Sequence, residues 1–310
     1  MSDRELVCED LTLAIEDLQR DGYRLDVIYP ADDPHTAVLT GAGGGVRLTT
    51  QPGATGPSDD LPPFAPKFVL SRGGGSGEGR AGMLYRDLIP SRLGGRYIAS
   101  HITIPDGGPV ADWVHFHRIA LQLICVRSGW VRVVYEDQGE PFTMHAGDLV
   151  LQPPGIRHRV LESSPGLEVV EITAPAMHET FADHELTLPS EDFAPDREFG
   201  GQRFMRHIAA QTPWTPLHGG EAQETAIGRA TGGLADARLI RATGSTITFP
   251  PHDGELVFGF VLDGTACLEI GEDFDLRRGD AFVIPPSAGW GLSAASPDLR
   301  LLHVTTSKLG

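Results

Sequence analysis

One strand-rich pattern occurs twice in the chain, and this internal repeat constrains the fold more than any other feature of the sequence. Residues 100–108 (SHITIPDGG) are matched by residues 245–253 (STITFPPHD), and residues 146–155 (AGDLVLQPPG) are matched by residues 278–287 (RGDAFVIPPS). In each copy, short alternating apolar segments follow one another at a spacing of roughly 8 to 12 residues, which is typical of a β-barrel or sandwich. The repeat therefore predicts two copies of one β unit.

The composition favours many short strands over long helices. The 310 residues include 38 glycines and 24 prolines, a fifth of the chain, and this density of turn-forming residues suits tight connections between strands. A chain of this length is also expected to form more than one domain. We therefore predict an all-β protein with two barrels.

The predicted organisation has three parts. Residues 1–60 contain a helical apolar pattern that stops at Gly22 and is followed by three short strands, which predicts a small α+β appendage. Residues 83–178 and 226–308 are predicted to form the two barrels. For the segment between the barrels we predict one short helix, over residues 204–211.

Charge and cysteine content exclude several classes of partner. The formal net charge of −17 repels phosphate backbones and anionic membrane surfaces, so we expect neither nucleic acid nor a membrane as a partner. No apolar run approaches the roughly 18 residues of a membrane-spanning helix. The three cysteines are far apart and odd in number, which implies no disulfide framework and favours the reducing cytoplasm as the setting.

Two histidine-containing motifs in the first repeat carry a resemblance to a known family. The residues at the motif positions are His115, His117, Gln122 and Gly129 in the first motif, and Gly147, Pro153, Gly155 and His158 in the second. Both spacings resemble those of the cupin superfamily without a gap. The resemblance implies a bicupin, with two double-stranded β-helix (jelly-roll) barrels behind the α+β appendage.

The spacing of the three histidines points to a metal site. Residues i and i+2 of a strand face the same side, so His115 and His117 point together into the barrel. The turn after Gly147 returns the chain, so that His158 enters from a neighbouring strand. Three neutral imidazoles in a mostly apolar cavity lack partners unless a divalent transition metal supplies one. We expect Fe²⁺ first, with Mn²⁺, Ni²⁺ or Zn²⁺ as alternatives.

Gln122 departs from the family pattern, which has glutamate at this position. Its amide oxygen is either a weak fourth metal ligand or a hydrogen-bonding group beside the metal. In both cases the site lacks one negative charge, which favours a small anionic organic substrate bound directly to the metal. Cupin dioxygenases of the gentisate type, which the first barrel resembles, also use three histidines without glutamate, and this implies oxygen chemistry.

Other residues beside the motifs are candidates for substrate binding. An arginine there could hold a carboxylate through two hydrogen bonds. The candidates are Trp113, Arg118, Gln152 and Arg157. Cys125 is expected to point away from the metal, and His101 and His178 are expected to be ordinary histidines because no motif spacing includes them.

The second repeat has lost the ligand pattern. The positions that correspond to the four candidate ligands hold Pro250, His252, Val257 and Trp290. The indole of Trp290 is expected to fill the cavity, so the second barrel is predicted to be structural or a dimer partner.

The favoured functional hypothesis is an oxidoreductase of the dioxygenase type. Its alternatives are a non-redox metal-dependent isomerase or lyase, and a small-molecule-binding cupin without turnover, because the cupin fold hosts all of these. Cupin proteins commonly associate in pairs, so the resemblance also implies a homodimer.

Overall fold

The computed structural model describes residues 4–54, 56–75, 77–78 and 83–309, and these residues form two β-barrels and a smaller N-terminal module. The predicted all-β class with two repeated barrels is confirmed.

The N-terminal module packs one helix on a small sheet. Helix Leu11–Arg20 begins at Asp10, whose carboxylate accepts from the Leu13 backbone N–H at 3.0 Å. It ends before Gly22, which adopts a positive φ of 86°. The strands of this module are Arg4–Val7, Arg24–Tyr29, Thr36–Gly41 and Gly44–Thr49. The helix covers a core formed by Leu11, Ile28, Ala37, Leu39, Val46 and Leu48.

The sheet of the N-terminal module continues into the first barrel. Strand Arg24–Tyr29 pairs with strand Thr180–Ala182, which in turn pairs with strand His115–His117. The N-terminal module is therefore two strands away from the predicted metal ligands.

The first barrel consists of two sheets. The front sheet, which continues the N-terminal sheet, contains Thr180–Ala182, His115–His117, His158–Ser163, Trp130–Tyr135, Phe142–His145 and the short strand Gly108–Pro109. The back sheet contains, in spatial order, Met205–His207, Leu149–Leu151, Leu121–Ser128, Leu167–Ala174, Ile98–Ile104, Leu84–Asp87 and Gly77–Glu78.

The second barrel repeats this plan. Its larger sheet contains Thr215–Leu217, Gly220–Glu224, Ala235–Ala242, Arg300–Thr306, Leu256–Asp263, Ala281–Ile284 and Val69–Ser71. Its smaller sheet contains Ile247–Phe249, Trp290–Ser293, Thr265–Glu269 and Asp273–Arg277. A short helix, Ile227–Ala230, precedes the second strand repeat. The edge strand Val69–Ser71 comes from the connector that precedes the first barrel, so the two barrels are interlocked.

The helix predicted over residues 204–211 is wrong for most of its length. Met205–His207 is a strand that pairs with Leu149–Leu151, and only Ala209–Gln211 forms a turn of 3₁₀ helix. The physical reason is that Met205 and His207 are buried against the edge of the back sheet, where a strand completes the hydrogen bonding. A further hairpin, Glu198–Phe199 with Gln202–Arg203, leads into this strand.

The two barrels share one apolar core. Their larger sheets pack face to face, and the contact buries side chains from both, among them Leu123, Cys125, Leu149, Val170, Ile172, Leu239, Phe258, Phe260, Leu302 and Val304. Cys125 therefore lies between the barrels and points away from the interior of the first barrel, as predicted. Burial raises the pKa of its thiol to about 12.

Candidate metal centre

Three histidine rings meet inside the first barrel. Strand His115–His117 places two rings on one face, and its antiparallel pairing sets His158 opposite His115. The ring centroids of His115 and His158 are 4.2 Å apart, and that of His117 lies 5.2 Å from His115 and 5.3 Å from His158. One potential ligand atom from each ring lies within 4.8 Å of the other two, and all three residues are buried.

Hydrogen bonds orient each ring through its Nδ1 atom. His115 donates to the carbonyl oxygen of Trp113 at 2.8 Å, and His158 donates to that of Ile156 at 3.0 Å. A carbonyl oxygen only accepts, so in both rings Nδ1 carries the proton. His117 Nδ1 bonds the hydroxyl of Thr180 at 3.0 Å. Nε2 of each ring is therefore the candidate ligand atom, with Nδ1 held by an oxygen as is usual for metal-binding histidines.

The donor set fits a divalent transition metal. Three imidazole nitrogens converge from two strands, which suits Fe²⁺, Mn²⁺, Ni²⁺ or Zn²⁺. The carboxylate of Asp112 lies 3.5 Å from His115 Nδ1 and accepts from the Val160 backbone N–H at 2.9 Å. Such a buried carboxylate behind a ligand offsets part of the charge of an ion.

Gln122 faces the same interior but is engaged on both sides of its amide. Its Nε2 donates to Glu171 at 3.3 Å, and its Oε1 accepts from Gln152 Nε2 at 2.9 Å. The nitrogen of Gln152 lies 3.4 Å from His158 Nε2. The phenol of Tyr135 donates to Gln152 Oε1 and its ring stacks on His158 at 5.6 Å.

The histidine cluster lines a cavity of about 110 Å³. About 10–15 Å³ suffices for one ordered water, so this space accommodates a small organic molecule. Most of the wall is apolar and includes Met83, Ile98, Ile102, Ile124, Val131, Val133, Met144, Val160 and Val169. Polar groups of the wall include Gln122, Gln152 and Glu171, which are hydrogen-bonded to one another beside His158.

Several polar residues that line this cavity were not among the sequence candidates, and they include Glu171, His178, Asp32 and Arg159. Glu171 lies on strand Leu167–Ala174, opposite Ile124. His178, expected to be ordinary, is buried with its ring 5.5 Å from that of His117. Its Nδ1 donates to the carbonyl oxygen of Pro175 at 3.0 Å, and burial lowers its pKa. Asp32 reaches the cavity from the N-terminal module and pairs with Arg92 at 2.7 Å.

The four substrate-binding candidates lie in different places. Gln152 lines the cavity. Trp113 contacts the His115 ring edge-on at 5.2 Å and packs against the core of the N-terminal module. Arg118 is exposed, stacks over Phe181 and pairs with Asp59 and Glu179. Arg157 stacks over Phe116 and pairs with Asp183 at 2.9 Å. Both arginines therefore lie on the outer side of the strand that carries the histidines.

The corresponding region of the second barrel is filled by aromatic rings. Trp290 stacks on Phe249 with ring centroids 3.9 Å apart and meets Phe282 edge-on at 5.5 Å. His252 donates through Nε2 to the carbonyl oxygen of Ile284 at 3.1 Å. Pro250 and Val257 offer no ligand atom. The prediction that Trp290 fills this barrel is consistent with this packing.

Fold and site together define the class of protein. The cupin domain family matches residues 100–173 and 239–305, one stretch in each barrel. The chain is a bicupin of the cupin superfamily, with a three-histidine cluster in its first barrel that indicates a divalent metal site.

Three solved structures illustrate the likeness. A salicylate 1,2-dioxygenase from Pseudaminobacter salicylatoxidans is 17% identical, with a TM-score of 0.52 over 68% of this chain and 71% of that chain. Oxalate decarboxylase from Bacillus subtilis is 11% identical, with a TM-score of 0.55 over 84% and 79%. A putative glyoxylate induced protein from Pseudomonas aeruginosa is 13% identical, with a TM-score of 0.57 over 83% and 96%. At these identities the likeness shows the fold alone.

Two further results are negative. Comparison with curated protein sequences gives no match. In the part of the chain that the structure describes, no helix has the length and apolar character needed to cross a bilayer.

Proposed function

We propose that the chain is a metal-dependent bicupin oxidoreductase of the dioxygenase type, which acts on a small anionic organic molecule. The observation that carries this proposal is the cluster of His115, His117 and His158, buried in the wall of a mostly apolar cavity. A bound divalent ion, Fe²⁺ first, would supply Lewis acidity, redox capacity and open coordination positions for substrate and dioxygen.

The residues of the chain have distinct tasks in this proposal. The three imidazoles would hold the ion, and their Nδ1 hydrogen bonds keep the rings turned toward one another. The apolar walls exclude water and thereby strengthen electrostatic interactions at the site. The amide of Gln152 lies next to His158 and can donate to an anionic group of the substrate.

The name of one protein with a similar fold guides the choice of substrate class. One protein of similar fold is named as a salicylate 1,2-dioxygenase, and salicylate is a small organic anion. Carried over to this chain, the name suggests a substrate of similar size and charge.

A second candidate function is a non-redox metal-dependent lyase or isomerase. The specific observation in its favour is Glu171, a carboxylate that lines the cavity and could exchange a proton with a bound substrate. Oxalate decarboxylase, which has a similar fold, makes loss of carbon dioxide the first reaction to test.

Metal analysis and an oxygen electrode distinguish these functions. The protein is purified without chelators, its metal content is measured, and oxygen uptake is followed with salicylate, gentisate and keto acids after loading with Fe²⁺. Substrate-dependent oxygen uptake supports the dioxygenase. Release of carbon dioxide from oxalate by the Mn²⁺-loaded protein without oxygen uptake supports the lyase. Bound Zn²⁺ with neither activity contradicts the oxidoreductase and leaves a binding protein.

A further inference from the structure

We infer that four hydrogen-bonded side chains form a polarised relay that presents an N–H of Gln152 to an anionic ligand of the histidine cluster, and that Glu171 fixes its direction. This inference rests on the proposed function and specifies how the site would recognise an anion although it contains a carboxylate of its own. The relay runs in the order Glu171, Gln122, Gln152, Tyr135.

The relay is continuous, and three of its four side chains are buried. Gln122 Nε2 donates to Glu171 Oε1 at 3.3 Å, Gln152 Nε2 donates to Gln122 Oε1 at 2.9 Å, and the Tyr135 hydroxyl donates to Gln152 Oε1. Gln122, Gln152 and Tyr135 are each 2% exposed. Water therefore does not compete for the bonds among these three side chains, and each amide depends on its neighbours for partners.

The carboxylate sets the direction of the relay. An ionised carboxylate accepts hydrogen bonds and donates none, so Gln122 must turn its nitrogen toward Glu171. The amide oxygen of Gln122 then faces Gln152, which must therefore donate from its amide nitrogen. A flip of either amide would set two oxygens, or two nitrogens, against each other inside a buried network. Tyr135 completes the relay as a donor, because the amide oxygen of Gln152 that it contacts can only accept.

The direction matters at the metal centre. The amide nitrogen of Gln152 carries two hydrogens, and one of them is used by Gln122. The same nitrogen lies 3.4 Å from His158 Nε2, so its second N–H is directed toward the histidine cluster. An ion that takes the Nε2 lone pair removes this acceptor. The second N–H of Gln152 is then available to donate a hydrogen bond to an anionic ligand beside the ion.

The relay opposes simple electrostatics, and this makes it testable. A carboxylate in the cavity wall repels an anion, so removal of the Glu171 charge alone should tighten anion binding. If Glu171 acts through the relay, loss of its acceptor oxygens should instead weaken anion binding, because the amides lose their enforced orientation. The two effects have opposite signs.

The experiment is a titration of the Co²⁺-loaded protein with azide, followed by the visible d–d bands of the metal. Glu171→Gln loses the charge but keeps an oxygen that can accept from Gln122, whereas Glu171→Leu loses both. We expect Glu171→Leu to bind azide about tenfold more weakly than Glu171→Gln, as for the loss of one charge-assisted hydrogen bond. Gln152→Leu should lose about as much relative to the wild type.

Thr173→Val is the matched control. The Thr173 hydroxyl also donates to Glu171 Oε1, at 3.3 Å, but lies outside the relay, so this variant should bind azide as the wild type does. The inference is overturned if Glu171→Leu binds azide as tightly as Glu171→Gln or more tightly. If Glu171→Leu does not fold, Gln152→Leu provides the test, and an azide affinity equal to that of the wild type overturns the inference. Wild-type protein that takes up no Co²⁺ would remove the proposed function and this inference together, whereas unchanged variants of a metal-loaded, active protein remove only the inference.

Discussion

The indole of Trp290 stacks on Phe249 with ring centroids 3.9 Å apart, at the position in the second barrel that His158 occupies in the first. The two barrels thus use equivalent positions for opposite purposes. In one barrel a polar ring faces a cavity, and in the other an apolar ring fills the interior and stabilises the fold.

The first prediction concerns Trp290 itself. Replacement of Trp290 by alanine should lower the free energy of unfolding by about 3–5 kcal/mol, because it leaves a cavity among packed rings. Urea denaturation measures the loss. Metal content per folded chain should remain that of the wild type, and a parallel loss of metal would show that the second barrel also supports the ion.

The second prediction separates the two barrels by their histidines. His158→Ala should reduce the metal content of purified protein sharply, since it removes one of three converging ligands. His252→Ala should leave the metal content unchanged, because His252 bonds the Ile284 carbonyl. Elemental analysis of both variants, purified side by side, provides the measurement. Equal losses from the two variants would contradict a single site in the first barrel.

The third prediction concerns the pH dependence of stability. Burial lowers the pKa of His303 from 6.5 to about 3. Below pH 6.5 His303 becomes protonated in the unfolded chain but stays neutral in the folded chain. The free energy of unfolding therefore falls as the pH drops from 6.5 toward 3, by about 1.4 kcal/mol per pH unit from this residue. His303→Gln should flatten the curve of unfolding free energy between pH 6.5 and 4. The exposed His145 provides the control, as His145→Gln should leave the slope as it is.

The fourth prediction concerns thiol reactivity. Cys125 is buried between the barrels with its pKa raised to about 12, whereas Cys8 and Cys267 are partly exposed. Because the thiolate is the reactive form, alkylation of the native protein at pH 8 should spare Cys125. Mass spectrometry of peptides after treatment with iodoacetamide, with and without urea, checks this. Rapid native modification of Cys125 would mean that the barrels separate in solution.

Strand periodicity explains why the histidine cluster could be predicted and Glu171 could not. His115 and His117 share a face by local geometry alone, and the turn before His158 is encoded in a short motif. Strand Leu167–Ala174 is buried on both faces: Val170 and Ile172 pack between the barrels, whereas Val169 and Glu171 line the cavity. Alternation within such a strand does not distinguish inside from outside.

The arginine candidates illustrate a second limit. Arg118 and Arg157 stand next to motif histidines in the sequence, yet each side chain lies on the opposite face of the sheet from the cavity and finds acidic partners there. Closeness in sequence to a ligand was therefore a poor guide to closeness in space.

The sequence by itself determined the duplicated β architecture, the three histidines of the first barrel and the aromatic filling of the second, because repeats, two-residue alternation and turn motifs are local properties of a chain. Only the tertiary structure decided that the N-terminal module shares a sheet with the histidine strand, that Asp32 and His178 reach the cavity, and that Glu171 joins Gln122. These contacts join segments far apart in the sequence, and their geometry depends on which strands pair and which faces pack together.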